Sequence, residues 1–450
     1  MNRQRGMTII ELLVSITIVM IIIGAATTTY LKILRTYKTQ GRLAEGYMAN
    51  LTGLEMLRYD IETAGFGLPA NLNTATYSEA VAVNPETNFN AASNPNPAPP
   101  YDPSLLNDSP SNPPRAFAQL DNQGPGIGGN HYSDVLSIKS STANINATSK
   151  RWSMISTAPN FQDATNTNPK VKLWGGTQLD PVMDFTSGVP ADNFIVLDNT
   201  GTLQLNGAQW LFTFNASLPN TGLYKNINSL PGLPSPGNLY VYFLYGLDNY
   251  TTGHRMPFNR VDYYLDRIAS DFPSTCDPKT FTLYRSVIDQ ATGDLLIQTP
   301  LIDCVADFQV AFGLDPNGGT STNGDPVAPT QWQANLSVAG VPMTAQQIQQ
   351  QLREVRVFIL YQEGLGATSK SPDFIFSGTL NLGDQAIANA IDPADYPNVP
   401  NNFTQLSPGP INGALNQFTP AGSDQQYRWK IIEMAVKPMN LLNLISGTQR

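Results

Sequence analysis

The sequence predicts an α+β protein with one long N-terminal helix packed on an antiparallel β-sheet domain that carries long loop insertions. Three observations predict this fold. Residues 7–26 are apolar except for one charged and a few hydroxyl side chains, and apolar residues at three- and four-residue spacing continue to about residue 64. Ten segments rich in β-branched and aromatic residues then follow between turn residues. One long helix before a run of strands is the pattern of an α+β domain.

The N-terminal stretch is long enough to cross a membrane. Its 20 residues, 7–26, would span about 30 Å as a helix, the thickness of a bilayer's hydrocarbon core. Glu11 is its only charged residue, and an ionisable group inside a membrane segment indicates a function. An ordinary secretory signal has a shorter apolar region, so that interpretation fits less well.

The residues at the start of this stretch carry a family resemblance. Arg5-Gly6, followed by Met7-Thr-Ile-Ile-Glu11-Leu-Leu-Val, resembles the class III signal of type IV pilins and type II secretion pseudopilins. The resemblance implies that a prepilin peptidase removes the basic leader, residues 1–6, by cutting after Gly6, and then methylates Met7. Such proteins more often begin with Phe, so Met7 is a departure from the pattern.

Glu11 suits recognition between subunits. Once the leader is removed, Met7 exposes a positive amine, and Glu11 lies one helical turn beyond it. The helix macrodipole favours a carboxylate there, and the carboxylate can pair with the terminal amine of a neighbouring subunit. The alternative is an ordinary anchor helix, with Glu11 at headgroup level and neutralised by its own terminus.

The helix is predicted to continue as an amphipathic segment over 27–64, with its apolar stripe packed on the sheet. The stripe consists of Leu43, Tyr47, Leu51, Leu54, Leu57 and Ile61. The glycines and proline of 65–69 end it. Thr28 stands where major pilins commonly carry a helix-kinking Pro, so the resemblance favours a minor subunit.

The remaining chain divides into loops and a β-rich domain. Residues 65–130 are rich in Pro and Asn and lack apolar periodicity, which predicts a surface insertion outside the core. The β-rich domain covers 131–450, with a second loop excursion at 392–423. A short helix capped by Thr344 is predicted over 344–352. Strands are predicted at 133–139, 194–198, 210–214, 239–245, 260–267, 280–285, 295–298, 303–312, 353–361 and 427–436.

The two cysteines, Cys276 and Cys304, favour one disulfide in an oxidising compartment. Zinc and haem spacings are absent around them. Two free buried thiols are the alternative.

A second resemblance covers the distal half. The runs Arg260-Val-Asp-Tyr-Tyr-Leu-Asp266, Thr282-Leu-Tyr-Arg285 and Pro300-Leu-Ile-Asp-Cys-Val-Ala-Asp-Phe-Gln-Val resemble PilW-type minor pilins. Those proteins are similar in architecture to the J-type minor pseudopilins of type II secretion. The matching runs are scattered along the chain, so this resemblance is less specific than that of the N-terminal signal.

Composition and motifs argue against nucleic-acid binding and against catalysis. Charged residues make up 14% of the chain, and the net charge is −9, or −11 once Arg3 and Arg5 leave with the leader. Such a surface lacks the clusters of Lys and Arg that bind the phosphates of nucleic acids. The sequence contains no signature of a serine hydrolase, a zinc protease or a P-loop, so no enzyme is predicted.

One Gly-rich turn carries the oxygen ligands of a calcium site, namely Asp315, Asn317, Asn323 and Asp325. The spacing departs from an EF-hand, because Pro326 holds the twelfth position. A solvated hairpin loop is the favoured alternative, and no other cofactor is expected.

The expected function is therefore structural. The resemblance implies a minor pilin that is anchored once in the inner membrane, with its C-terminal domain in the periplasm, and that later belongs to a cell-surface filament. Its expected partners are the prepilin peptidase, other minor pilins, the major pilin, the inner-membrane assembly platform and a tip adhesin. The alternatives are a minor pseudopilin of type II secretion, a membrane-anchored adhesin subunit that binds surfaces, and, more remotely, a hydrolase.

Overall fold

The computed structural model describes residues 8–84, 100–125, 131–156, 170–175, 180, 182–186, 190–205, 207–214, 220–221, 224–226, 241–250, 253–268, 272–273, 276–277, 279–317, 328–338, 340–363, 380–382, 416–418 and 427–441. The chain divides into two compact units, Met1–Leu51 and Thr52–Arg450. Helix α1, Ile9–Glu62, begins in the first unit and ends in the second.

The second unit is built mainly of strands. The strands are β1 (Phe117–Pro125), β2 (His131–Ser140), β3 (Trp152–Ser156), β4 (Lys170–Lys172), β5 (Asn193–Asp198), β6 (Phe212–Thr213), β7 (Asn220–Thr221), β8 (Tyr224–Asn226), β9 (Val241–Asp248), β10 (Asn259–Asp266), β11 (Phe281–Ile288), β12 (Leu295–Leu314), β13 (Gln331–Gln333), β14 (Ser337–Val338), β15 (Val341–Pro342), β16 (Leu352–Gln362), β17 (Leu380–Leu382), β18 (Asn416–Phe418) and β19 (Trp429–Val436). Helix α2 covers Ala345–Gln351, and 3-10 turns cover Pro103–Leu106 and Thr148–Lys150.

Two sheets account for most of these strands. The larger has the order β1-β2-β10-β11-β12-β16-β19, with β13 also paired to β12. The smaller has the order β6-β5-β9-β3-β4-β8-β7. Every pairing between these named strands is antiparallel. The predicted α+β class is therefore confirmed.

The main core lies between the end of α1 and the larger sheet. Leu57 and Ile61, from the predicted apolar stripe, are fully buried there. Gly53 lets the helix approach the sheet closely, since a Cβ at this position would lie 2.5 Å from the carbonyl oxygen of Leu301 on β12. Gly65, whose φ is +83°, follows the end of the helix, as the glycine stop signal predicts.

Strand β12 joins the two halves of the larger sheet. The sequence predicts two strands here, 295–298 and 303–312, but they form one strand of 20 residues. Its first part pairs with β11 and its second part with β16. Cys304, with a φ of 57°, lies at the irregular crossing point and forms a disulfide with Cys276, at a Cα–Cα distance of 5.0 Å. The predicted disulfide is confirmed.

The expectation that 65–130 lies outside the core is wrong for the parts that the structure describes. Tyr77, Tyr101 and Leu106 are buried, and β1 is the edge strand of the larger sheet. The reason is that this segment is held by a buried cluster of charged side chains, which leaves no apolar periodicity in the sequence.

The other predicted helices and strands agree only partly with the observed ones. Helix α2 begins after Thr344, which forms the predicted cap. The strand predicted at 210–214 is reduced to β6. Strands β3, β4, β7 and β8 were not predicted, and the last three have only two or three residues each. Of the excursion at 392–423, the structure describes 416–418, which is strand β18 paired with β17.

Candidate functional site

The first turn of α1 places Glu11 in a capping box. The backbone N–H of Thr8 donates to Oε2 of Glu11 at 2.9 Å, and the Thr8 hydroxyl donates to the same oxygen at 3.1 Å. In return, the Glu11 amide donates to the Thr8 hydroxyl at 3.4 Å. Within the described part of the chain, Oε1 of Glu11 makes no hydrogen bond, so one oxygen is left for a group from outside the chain. Gly6 and Met7 lie outside the described residues.

The helix beyond this turn has the properties of a membrane span. Within the described residues, Ile9–Leu34 is long and apolar enough to cross a bilayer, with a mean hydropathy of 2.6. None of it is buried inside the protein, and Ile9 is 82% exposed. An apolar surface of this extent is stable only against lipid or against other apolar helices.

The serine and threonine hydroxyl groups in this segment are satisfied within the helix. Ser15 donates to the carbonyl oxygen of Leu12, and Thr17 to that of Leu13, at 2.9 and 2.8 Å. The same bonds, to carbonyls three or four residues back, are made by Thr27, Thr28 and Thr29. Because these hydroxyls need no water, they do not oppose burial in a bilayer.

In the second unit, α1 is joined to the larger sheet by a buried charged contact. Oδ2 of Asp60 accepts hydrogen bonds from the Tyr263 hydroxyl and from Nε of Arg285, each at 2.6 Å. Burial and the Asp60 charge raise the pKa of Tyr263 far above its usual range. Burial lowers the pKa of Arg285, but Asp60 outweighs it and leaves that pKa raised. Helix and sheet are thus locked in one orientation.

Sequence reasoning missed Asp60. A signal was available, because Asp60 directly precedes Ile61 and follows Leu57 by three residues, on the side of the helix that faces the sheet. A carboxylate on a buried helix face requires a partner, but its identity depends on which strands the fold brings there.

The structure describes only two of the four residues that were predicted to bind calcium, Asp315 and Asn317. Asp315 is buried, and its Oδ2 lies 3.6 Å from NH2 of Arg353, while its Oδ1 accepts the amide N–H of Asn317 at 3.2 Å. Asn323 and Asp325 lie outside the described residues. The calcium site stays a prediction.

The comparisons agree with the N-terminal geometry. The family model described as the prokaryotic N-terminal methylation motif matches residues 1–27. No curated protein and no solved structure matches the chain. The motif and the exposed apolar helix together support a type IV pilin or pseudopilin, a membrane-anchored structural subunit that is processed by prepilin peptidase and assembles with other pilins.

Proposed function

We propose that this protein is a minor pilin that primes or supports type IV pilus assembly near the filament tip. The observation that carries the proposal is the methylation motif at 1–27, which overlaps an apolar helix, Ile9–Leu34, that no other described residue of the chain buries. A subunit of this kind acts by packing. The span 7–26 bundles with the helices of other pilins, and the sheet unit contacts lateral partners in the periplasm and later at the cell surface.

Glu11 guides the incoming subunit. Its Oε2 is occupied by Thr8, which holds the carboxylate at the start of the helix. Its Oε1 then faces the terminal amine that leader removal exposes on a neighbouring subunit. In a low dielectric this attraction acts over several ångströms, so it aligns the helices within the membrane.

The role of a minor subunit is supported by the unbroken course of α1. No proline interrupts the helix, and Thr28 instead donates to the carbonyl oxygen of Ala25 at 2.8 Å. The two large sheets in the described part of this 450-residue chain also offer surface for specific partners.

Mass spectrometry of the mature N-terminus, purified from membranes, tests the proposal. We expect a chain that begins with methylated Met7. Gly6→Val should block leader removal and filament incorporation, whereas Glu11→Ala should reduce incorporation and leave cleavage intact. Normal filaments built from uncleaved protein would refute the proposed function.

The same preparation separates a pilus from a secretion system. Cross-linking at the membrane should recover the other minor pilins and the major pilin. Recovery of a secreted protein together with secretion components would instead assign the chain to the pseudopilins of type II secretion. Genes encoded beside this one provide an independent check.

A further inference from the structure

A buried cluster of six charged side chains joins the segment before β1 to strands β2 and β10. Its acids are Glu79, Asp108 and Asp262, and its bases are Arg115, Lys139 and Arg260. The most exposed of the six side chains, that of Arg115, is only 14% exposed. The three negative and three positive charges cancel, which is a requirement for placing charges in a dry interior.

Lys139 lies at the centre of this cluster. Its Nζ is 2.6 Å from Oδ2 of Asp108 and 2.7 Å from Oε2 of Glu79, and its side chain is fully buried. The ring centroid of Phe258 lies 5.6 Å from the amine. A primary amine is therefore held against a carboxyl group where bulk water is excluded.

Glu79 contacts both Lys139 and Asp108. Its Oε2 contacts the Lys139 amine, and its Oε1 accepts the backbone N–H of Asp108 at 2.5 Å. On the other side of Asp108, Nε of Arg115 donates to Oδ1 at 2.5 Å. Asp108 thus presents Oδ2 to the amine, while its Oδ1 faces a fixed positive charge.

We propose that Lys139 and Asp108 condense into an intramolecular amide bond, with Glu79 as the proton carrier. Reacting groups that are fixed in contact have effective concentrations of about 10⁵ M or more, so proximity can supply most of the rate. The bond would tie the segment before β1 covalently to β2.

The reaction balances without an external reagent. One proton passes from the Lys139 ammonium through Glu79 to Oδ2 of Asp108, which produces a neutral amine and a neutral acid. The Nζ lone pair attacks Cγ, and the electron pair that moves onto Oδ1 faces Arg115. Glu79 then carries a second proton from Nζ to Oδ2, the Cγ–Oδ2 bond breaks, and water leaves as the carbonyl to Oδ1 reforms. Glu79 ends as it began.

The charges of the cluster favour the product. Burial raises the pKa of Asp108, but Lys139 and Arg115 outweigh it and hold that pKa below its usual range. The ion pair is therefore the more populated form, and the reaction passes through the less populated neutral pair. A small population is sufficient, because the reaction occurs only once in each chain. The amide removes one charge of each sign from the dry interior, and the four remaining charges still cancel.

Mass spectrometry of the full-length protein from its own membranes tests the bond. After allowance for the leader, the methyl group and the disulfide, the mass should be about 18 Da, one water, below that of the sequence. After reduction and trypsin, peptide 59–115 should remain joined to 116–150, because cleavage after Lys139 is blocked. A wild-type chain of full mass that yields separate peptides refutes the proposal, and shows a purely ionic cluster.

Variants distinguish this amide bond from other reactions that release water, such as cyclisation of an aspartate. Lys139→Arg keeps the positive charge without the nucleophile, and it should restore the full mass. Asp108→Asn should lose ammonia, about 17 Da, because the amine displaces the amide nitrogen. Glu79→Gln should leave most chains uncondensed. A loss of water that persists in Lys139→Arg would refute the bond, and a complete loss in Glu79→Gln would refute the role of Glu79.

Discussion

Asp307, on β12, should make the protein less stable as the pH rises from acidic to neutral. Its Oδ1 accepts a hydrogen bond from Gln309 at 3.0 Å, while Oδ2 is buried without a hydrogen bond within the part of the chain that the structure describes. Burial raises the pKa of Asp307 to about 7. In the unfolded chain the carboxyl has its ordinary pKa of about 3.9.

The sign and the size of the effect follow from these two values. Because the folded state binds the proton more tightly, the stabilisation by the neutral acid is complete below about pH 4 and is lost by about pH 7. A difference of roughly three pKa units corresponds to about 4 kcal/mol in the free energy of unfolding. Asp307→Asn, which stays neutral at every pH, should remove most of this dependence.

Urea unfolding of the detergent-solubilised protein, followed by tryptophan fluorescence, measures the effect. We expect Asp307→Asn to be the more stable protein near pH 8 by up to about 4 kcal/mol, and to match the wild type near pH 4. Asp294→Asn removes an exposed carboxylate from the turn before β12 and is the matched control. Equal stability of wild type and Asp307→Asn near pH 8 would refute the reasoning.

Three further changes test the packing of the second unit, each by urea or thermal unfolding. Gly53→Ala places a methyl group 2.5 Å from the Leu301 carbonyl oxygen and should cost about 1–3 kcal/mol, whereas Gly24→Ala, with open space around it, should not change the stability of this unit. Asp60→Asn leaves the charge of Arg285 buried without its carboxylate and should cost about 3–5 kcal/mol; a change below 1 kcal/mol would contradict the lock between helix and sheet. Reducing the disulfide, whose cysteines are 28 residues apart, should cost about 3–4 kcal/mol and lower the melting temperature, and an unchanged melting temperature would contradict this.

The N-terminal methylation motif and the apolar helix were recognisable from the sequence because their signals are local. A cleavage motif, a run of apolar residues and a single acid are neighbours in the chain, so no tertiary contact is needed to recognise them. Most of the longer strands were predictable for the same reason, but β1, which lies in the segment predicted to be an insertion, was not. Where β12 pairs with two partner strands, however, the local pattern predicted two segments, because Pro300 lies between them and proline is disfavoured inside a strand.

The sequence by itself determined the anchor, the α+β order of the elements and the availability of a cysteine pair. Only the tertiary structure decided which polar residues enter the interior. Lys139 and Asp108 are 31 residues apart, and Asp60 and Arg285 are 225 apart, yet each pair is buried in contact. A charged residue is expected to be exposed, since burying an unpaired charge is costly. In these two pairs the fold brings an opposite charge from a distant part of the chain, and both charges are buried.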